Sequence, residues 1–202
     1  MFNELATNTS IIFAPNTRGN FVRNCLTLSP NVADASLKMT NSESRVELYK
    51  KRILSHPSIT DNPPWGPGHV DGLAGDSRER LSNSDSSNHY FHCSHLISMS
   101  FLMDLPNSKF IVITLDEEAI SHFSNKYHYD TYLLKEINYY NDFNFLTNFT
   151  KSKKWYNLPY NDILNKDKFI NHCTIINSEV VTDMISDYYD VYYSLCIEDN
   201  PR

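Results

Sequence analysis

SIIFAPNTRGNFVRNCLTL, residues 10–28, reads as a strand, a tight turn and a helix in succession. Its opening, Ile11-Ile12-Phe13-Ala14, is a short apolar run bounded by polar residues, which predicts a buried strand over Ile11–Ala14. Pro15 stops the ladder because it has no N–H to donate. Asn16-Thr17-Arg18-Gly19-Asn20 then form a tight polar loop around the only glycine of the first 65 residues. After it, Phe21, Val22, Cys25, Leu26 and Leu28 recur as one helical face. A strand, a glycine-bearing turn and a helix N-terminus bring backbone N–H groups and the helix dipole to one point, the geometry that holds an anion. Arg18 and Arg23 add positive charge there. The same arrangement also serves as a plain connector, and the GK[ST] ending of a Walker loop is absent.

The 202 residues suffice for one sizeable core and are too few for two comfortable domains, so a single domain over 1–202 is expected. With 41% hydrophobic and 21% charged residues the composition is that of a soluble globular protein. The formal net charge of −6 argues against a general nucleic-acid surface, so a polyanionic ligand must meet a local basic pocket. No apolar run reaches the length of a membrane span, and MFNELATNTS lacks the basic and apolar regions of a signal peptide. No membrane partner and a cytoplasmic location are the expectation.

Cys25, Cys93, Cys173 and Cys196 show no C-x-x-C spacing and sit among apolar neighbours, which suits reduced, buried thiols; their even number also permits two disulfides. Asn is common at 22 residues and Tyr reaches 13. An AT-rich genome, a viral one included, would give this bias.

Further along, Ser42 is a candidate cap for a helix over about 43–54, with acids early and Lys50, Lys51 and Arg52 late. Residues 55–88 hold Pro57, Pro63, Pro64, Pro67 and four of the five glycines, and predict a long loop whose 78–88 part is mobile. Tyr90, Phe91 and Cys93 indicate a short strand, and Leu96–Leu105 a buried helix. KFIVITL, Lys109–Leu115, is the clearest strand: five of its seven residues are apolar. It is expected to lie beside Ile11–Ala14 in one parallel sheet. Asp116 follows as an N-cap with Glu117 and Glu118 in the first turn. From Tyr127 the pattern is helical, with Leu133, Leu134, Ile137 and Tyr140 on one face. Trp155, Leu158 and Pro159 fall in a connector with a short extended segment over Leu158–Tyr160. Two helices, Asp162–Ile176 and Val180–Cys196, close the chain. Strands alternating with helices predict an α/β fold with a parallel sheet.

The order of these parts resembles the sulfotransferase family. PNTRGNFV (Pro15–Val22) is similar to that family's phosphosulfate loop, FHCSHL (Phe91–Leu96) to its strand ending in THL, and LPYNDILNKDKFINHC (Leu158–Cys173) to its later "yEdLl.dp" segment. LPNSKFIVITLDEEAISHF occupies the place of its next strand and helix. The resemblance covers most of the chain. It implies a three-layer, mostly parallel sheet flanked by helices and P-loop-like in plan. It implies 3′-phosphoadenosine 5′-phosphosulfate as co-substrate and a small-molecule or carbohydrate hydroxyl as acceptor. Thr17, Arg18, Gly19 and Asn20 would hold the 5′-phosphosulfate, Ser121 (or Ser124) would stand for the Ser of the 3′-phosphate motif, and His95 would be the catalytic base. Three positions depart from the family: Asn16 replaces its loop Lys, Asn20 its phosphate-contacting Thr, and Leu115 the Arg of its 3′-phosphate motif.

The bland readings stand beside these. His95 is either a general base of suitable pKa range or a strand-end histidine held by a backbone bond. Arg18 is either a fork of donors for an anion or a solvated loop residue. His92 and His95, three apart on a strand, point to opposite faces, which argues against one shared metal ion. The alternative to sulfuryl transfer is a binding or structural protein that keeps the fold without donor binding.

Overall fold

In the computed structural model, which describes residues 8–29, 90–95, 108–150 and 154–195, the run around Ile11 forms strand β1 (Asn8–Phe13) and the face that follows forms helix α1 (Gly19–Leu26). Strands β2 (Tyr90–His95) and β3 (Ser108–Thr114) come next. Helices α2 (Glu117–Tyr127), α3 (Thr131–Asn141) and α4 (Phe143–Thr150) lead to strand β4 (Trp155–Pro159). The short helix α5 (Tyr160–Ile163), then α6 (Lys166–Ile176) and α7 (Thr182–Leu195), complete the described chain. The helix over 43–54, the long loop at about 55–88 with its 78–88 part, and the helix Leu96–Leu105 lie outside the described residues.

The described strands form one four-stranded sheet in the order β2-β1-β3-β4, with every neighbouring pair parallel. Strand β1 is central, as its apolar run predicts. Ile11 pairs with Cys93 on one side and Ile111 on the other. The expected pairing of the two apolar strands is therefore present. Consecutive residues of β1 and β3 are buried, Ile11, Ile12, Ile111 and Val112 completely, so both faces of the sheet centre are covered. Burial of each such side chain contributes about 1.5–3 kcal/mol relative to exposure.

Helix starts follow local chemistry. Asp116, Asp130 and Asn165 are extended at the caps of α2, α3 and α6, and their side chains accept from Ala119, Leu133 and Lys168 N–H. The end of α1 is tied to the C-terminal part of the chain: Asn177 Nδ2 donates to Leu26 O at 3.2 Å and Val181 N to Leu28 O at 2.9 Å. Phe21 carries the apolar face of α1 into a tyrosine cluster, its ring 4.3 Å from that of Tyr192 and 5.6 Å from that of Tyr188.

Three boundaries depart from the sequence expectation. The Trp155–Pro159 connector is a full strand, pairing with Phe110–Thr114; it is an edge strand in which only Leu158 is fully buried, so it carries no apolar run. The single helix expected over Asp162–Ile176 divides at Leu164-Asn165, because Asn165 is extended and caps the second piece. The last helix begins at Thr182 rather than Val180. Among the described residues no helix is long and apolar enough to cross a membrane.

Candidate functional site

The site is built from the end of β1. Thr17 turns its backbone N–H (3.2 Å) and its hydroxyl (2.7 Å) onto the same Ala14 carbonyl, closing the turn after the strand. Tyr129, from the α2–α3 connection, donates its hydroxyl to Pro15 O. Asn16 and Arg18 both adopt left-handed backbone, φ 67° and 66°. Asparagine takes this region readily, whereas arginine does so at a steric cost that the surrounding structure must offset. Gly19 is required by proximity: a Cβ there would lie 2.2 Å from the Phe13 ring. The turn therefore folds tightly onto the strand that precedes it.

Arg18 is the N-cap of α1, and its side chain makes no cap bond. The first helical bond runs from Val22 N to Arg18 O at 3.0 Å. Its guanidinium crosses instead to α5 and α7. Nε donates to the Tyr160 hydroxyl at 3.3 Å, and Cζ lies 4.8 Å above the Tyr193 ring and 5.4 Å from that of Tyr192. With Arg18 only 2% exposed, the solvated-loop reading is excluded. The wall behind it is itself pinned, since the hydroxyls of Tyr189 and Tyr193 both donate to Ile163 O at 3.1 Å. Burial pushes the Tyr193 phenol well above its ordinary range, and the nearby Arg18 charge pulls in the opposite direction.

Arg23 is buried as well, its Nη2 3.2 Å from Asn24 Oδ1, with Asn24 in turn donating to Tyr188 at 3.0 Å. It belongs to the α1–α7 packing and not to a solvated face. Thr17, Gly19 and Asn20 are buried at the turn with Arg18.

His95 is the last residue of β2, and its register partner in β1 is Phe13. Parallel neighbours lie about 4.8 Å apart. The backbone of His95 is thus beside the start of the turn, at the C-terminal edge where parallel sheets place their ligands.

The other half of the family pattern looks different. Leu115 is 3% exposed and belongs to the core, with its backbone N–H and carbonyl both bonded to the Asn141 amide. Ser121 lies exposed on α2, while Ser124 donates back to Ile120 O at 2.6 Å. The C-terminal edge is knitted there by neutral and acidic groups: Asp116 accepts from Ala119 N and Asn161 Nδ2, and Thr114 donates to Asn157 Oδ1 at 2.7 Å.

A second polar cluster had no signal in the sequence. The Tyr156 hydroxyl lies 2.6 Å from His172 Nδ1, His172 Nε2 lies 3.0 Å from Asp162 Oδ2, and Lys168 Nζ donates to Asp162 Oδ1 at 3.0 Å. An imidazole protonated at Nε2 satisfies both neighbours. Burial raises the Asp162 carboxyl, but hydrogen bonds from His172 and Lys168, with their charges, outweigh it and hold the group below its ordinary value. Cys25 and Cys173 are buried free thiols, both pushed up by burial.

A scan against protein-family models finds no match to the chain, and a search of curated proteins finds none either.

Proposed function

We propose that the chain is a sulfotransferase-like enzyme with a three-layer, P-loop-like plan. It would transfer a sulfuryl group from 3′-phosphoadenosine 5′-phosphosulfate to a hydroxyl acceptor. The observation that supports this best is the juxtaposition at the centre of a parallel sheet: β1 turns through Asn16–Arg18 into α1, and the neighbouring strand ends at His95 beside Phe13.

In this reading His95 takes the proton of the acceptor hydroxyl as its oxygen attacks sulfur. The bond between sulfur and the donor's bridging oxygen breaks, and negative charge grows on that oxygen. The N-terminus of α1, opened by Gly19 and Asn20, faces that charge with its dipole. Thr17 shapes the turn, and Arg18, fixed against its tyrosines, supplies the positive field where the family has a lysine. Ser121 stands on α2 after β3 for the 3′-phosphate.

A second reading, a binding protein that keeps the fold without the donor, draws on Leu115. Its side chain lies in the core where the family pattern has a phosphate-pairing Arg. The test is incubation of the full chain with the donor labelled in its sulfuryl group, with phenolic and sugar hydroxyls offered as acceptors. The enzyme reading expects label on an acceptor, lost in His95→Ala while binding of the product nucleotide persists. No transfer and no nucleotide binding in the wild type would leave the second reading.

A further inference from the structure

The polar cluster beside β4 connects a hydroxyl, an imidazole and a carboxylate in series. Tyr156 Oη lies 2.6 Å from His172 Nδ1, and His172 Nε2 lies 3.0 Å from Asp162 Oδ2. The direction of both bonds follows from the carboxylate. Asp162 is held below its ordinary value and is therefore an anion that only accepts, so Nε2 carries the proton. Nδ1 of the neutral ring is then an acceptor, and the Tyr156 hydroxyl donates to it. A proton leaving Tyr156 thus passes to a base whose new positive charge Asp162 stabilises, the arrangement that activates a hydroxyl nucleophile.

The surroundings define the electrophile. Burial, with Cys173 and Asp162, pushes the Tyr156 phenol above its ordinary value. The hydroxyl therefore stays protonated at neutral pH and needs a base in order to react. The same surroundings disfavour negative charge at that oxygen, so an uncharged acyl group matches it better than an anionic phosphate or sulfate. Of the lysines in this region, Lys168 donates to Asp162 Oδ1 at 3.0 Å, while Lys109 and Lys154 lie at the N-terminal end of β3 and just before β4. Solvent reaches the cluster: Tyr156 is half-buried, and the His172 and Asp162 side chains are 17% and 22% exposed.

We propose that Tyr156 is a nucleophile that takes an acyl group from an activated ester, with His172 as its general base and Asp162 as the positioning residue. The Tyr156 oxygen attacks the carbonyl carbon while its proton passes to His172 Nδ1. The bond from that carbon to the leaving oxygen then breaks, and His172 returns the proton to the alcohol released. The acyl group stays on Tyr156 as an ester. Strands β4 and β2 are the outer strands of the described sheet, three spacings of about 4.8 Å apart. The site is thus distinct from His95 and does not depend on the proposed sulfuryl transfer.

The test is brief exposure of the full chain to para-nitrophenyl acetate at neutral pH, with the acetylated residues mapped by peptide mass spectrometry. Hydroxylamine cleaves a tyrosine ester and leaves a lysine amide, which separates the two products. Exposure alone would favour Tyr132 (58%) and Tyr139 (44%) over Tyr156. The proposal expects Tyr156 to be acetylated first. His172→Gln should slow it by about a hundredfold or more, the contribution of a general base, with Tyr132 unaffected. Removing a contact that only held the ring in place would free Tyr156 and speed its acetylation instead. Asp162→Asn should slow it too: Lys168 claims the amide oxygen, the amide nitrogen faces Nε2, and the ring proton moves to Nδ1. Acetylation of Tyr132 or Tyr139 ahead of Tyr156 in the wild type would overturn the proposal, without any variant. An equal or faster reaction of Tyr156 in His172→Gln, with an unchanged melting curve, would do the same.

Discussion

Arg18 and Tyr160 are 142 residues apart in the chain, and the Nε of the first donates to the hydroxyl of the second at 3.3 Å in the protein interior. This bond joins the turn after β1 to the helix after β4, across the C-terminal edge of the sheet. A hydrogen bond to a charged group contributes about 1.5–3 kcal/mol. Tyr160→Phe is expected to destabilise the protein within that range. A double-mutant cycle with Arg18→Ala, read by urea denaturation, should give a coupling of roughly 1 kcal/mol or more. Additive effects of the two substitutions would mean that the contact carries no stability.

Gly19→Ala should be costly for a different reason. The added methyl would fall 2.2 Å from the Phe13 ring, and both groups are buried, so the turn or the end of β1 must shift. Overpacking of this kind typically costs about 1–3 kcal/mol. A variant as stable as the wild type in urea would show that the turn is looser than the structure has it.

The Tyr156–His172–Asp162 cluster predicts a signature in acid. Asp162 is held below its ordinary value, so the fold binds its proton less readily than the unfolded chain does. Its contribution is present above the unfolded carboxylate value, about 3.9, and is lost as pH falls through the lower folded value. Asp162→Asn should therefore lower stability at neutral pH and flatten its decline below about pH 4. Parallel curves for the two proteins between neutral pH and acid would contradict the assignment.

At the alkaline end the signs reverse. Burial pushes the phenols of Tyr140 and Tyr189 up to about 12, above the unfolded value. Their contribution is whole below about pH 10 and is lost as pH rises through 12. Absorbance at the tyrosinate band should therefore still be rising as pH approaches 12, where these two phenols ionise. A single step near the ordinary tyrosine value would show that the tyrosine-rich interior is open to water.

How much of this was legible in the sequence depends on where each residue draws its partners. Strands β1 and β3 could be read because central strands of a parallel sheet are buried on both faces and appear as unbroken apolar runs, IIFA and FIVI. The caps at Asp116 and the helical face of Phe21, Val22 and Cys25 are local chemistry and could be read for the same reason. Strand β4 could not: Trp155-Tyr156-Asn157-Leu158-Pro159 is an edge strand with one fully buried side chain, and it pairs through its backbone with residues far earlier in the chain. The strand ending at His95 was visible, and its register with Phe13 was not. Arg18 was recognised as the charge of the turn. Its burial against Tyr160, Tyr192 and Tyr193 depends on contacts between helices that no local spacing encodes.

In the proposed function the turn from Pro15 to Asn20 receives the phosphate end of an adenosine nucleotide. Calorimetric titration of the full chain with 3′-phosphoadenosine 5′-phosphate tests it without knowledge of the acceptor. Saturable binding at one site is expected, weakened in Arg18→Ala by loss of the positive charge buried behind the turn, and much less in Arg23→Ala. Absence of saturable heat in the wild-type protein, or equal affinity in wild type and Arg18→Ala, would contradict it.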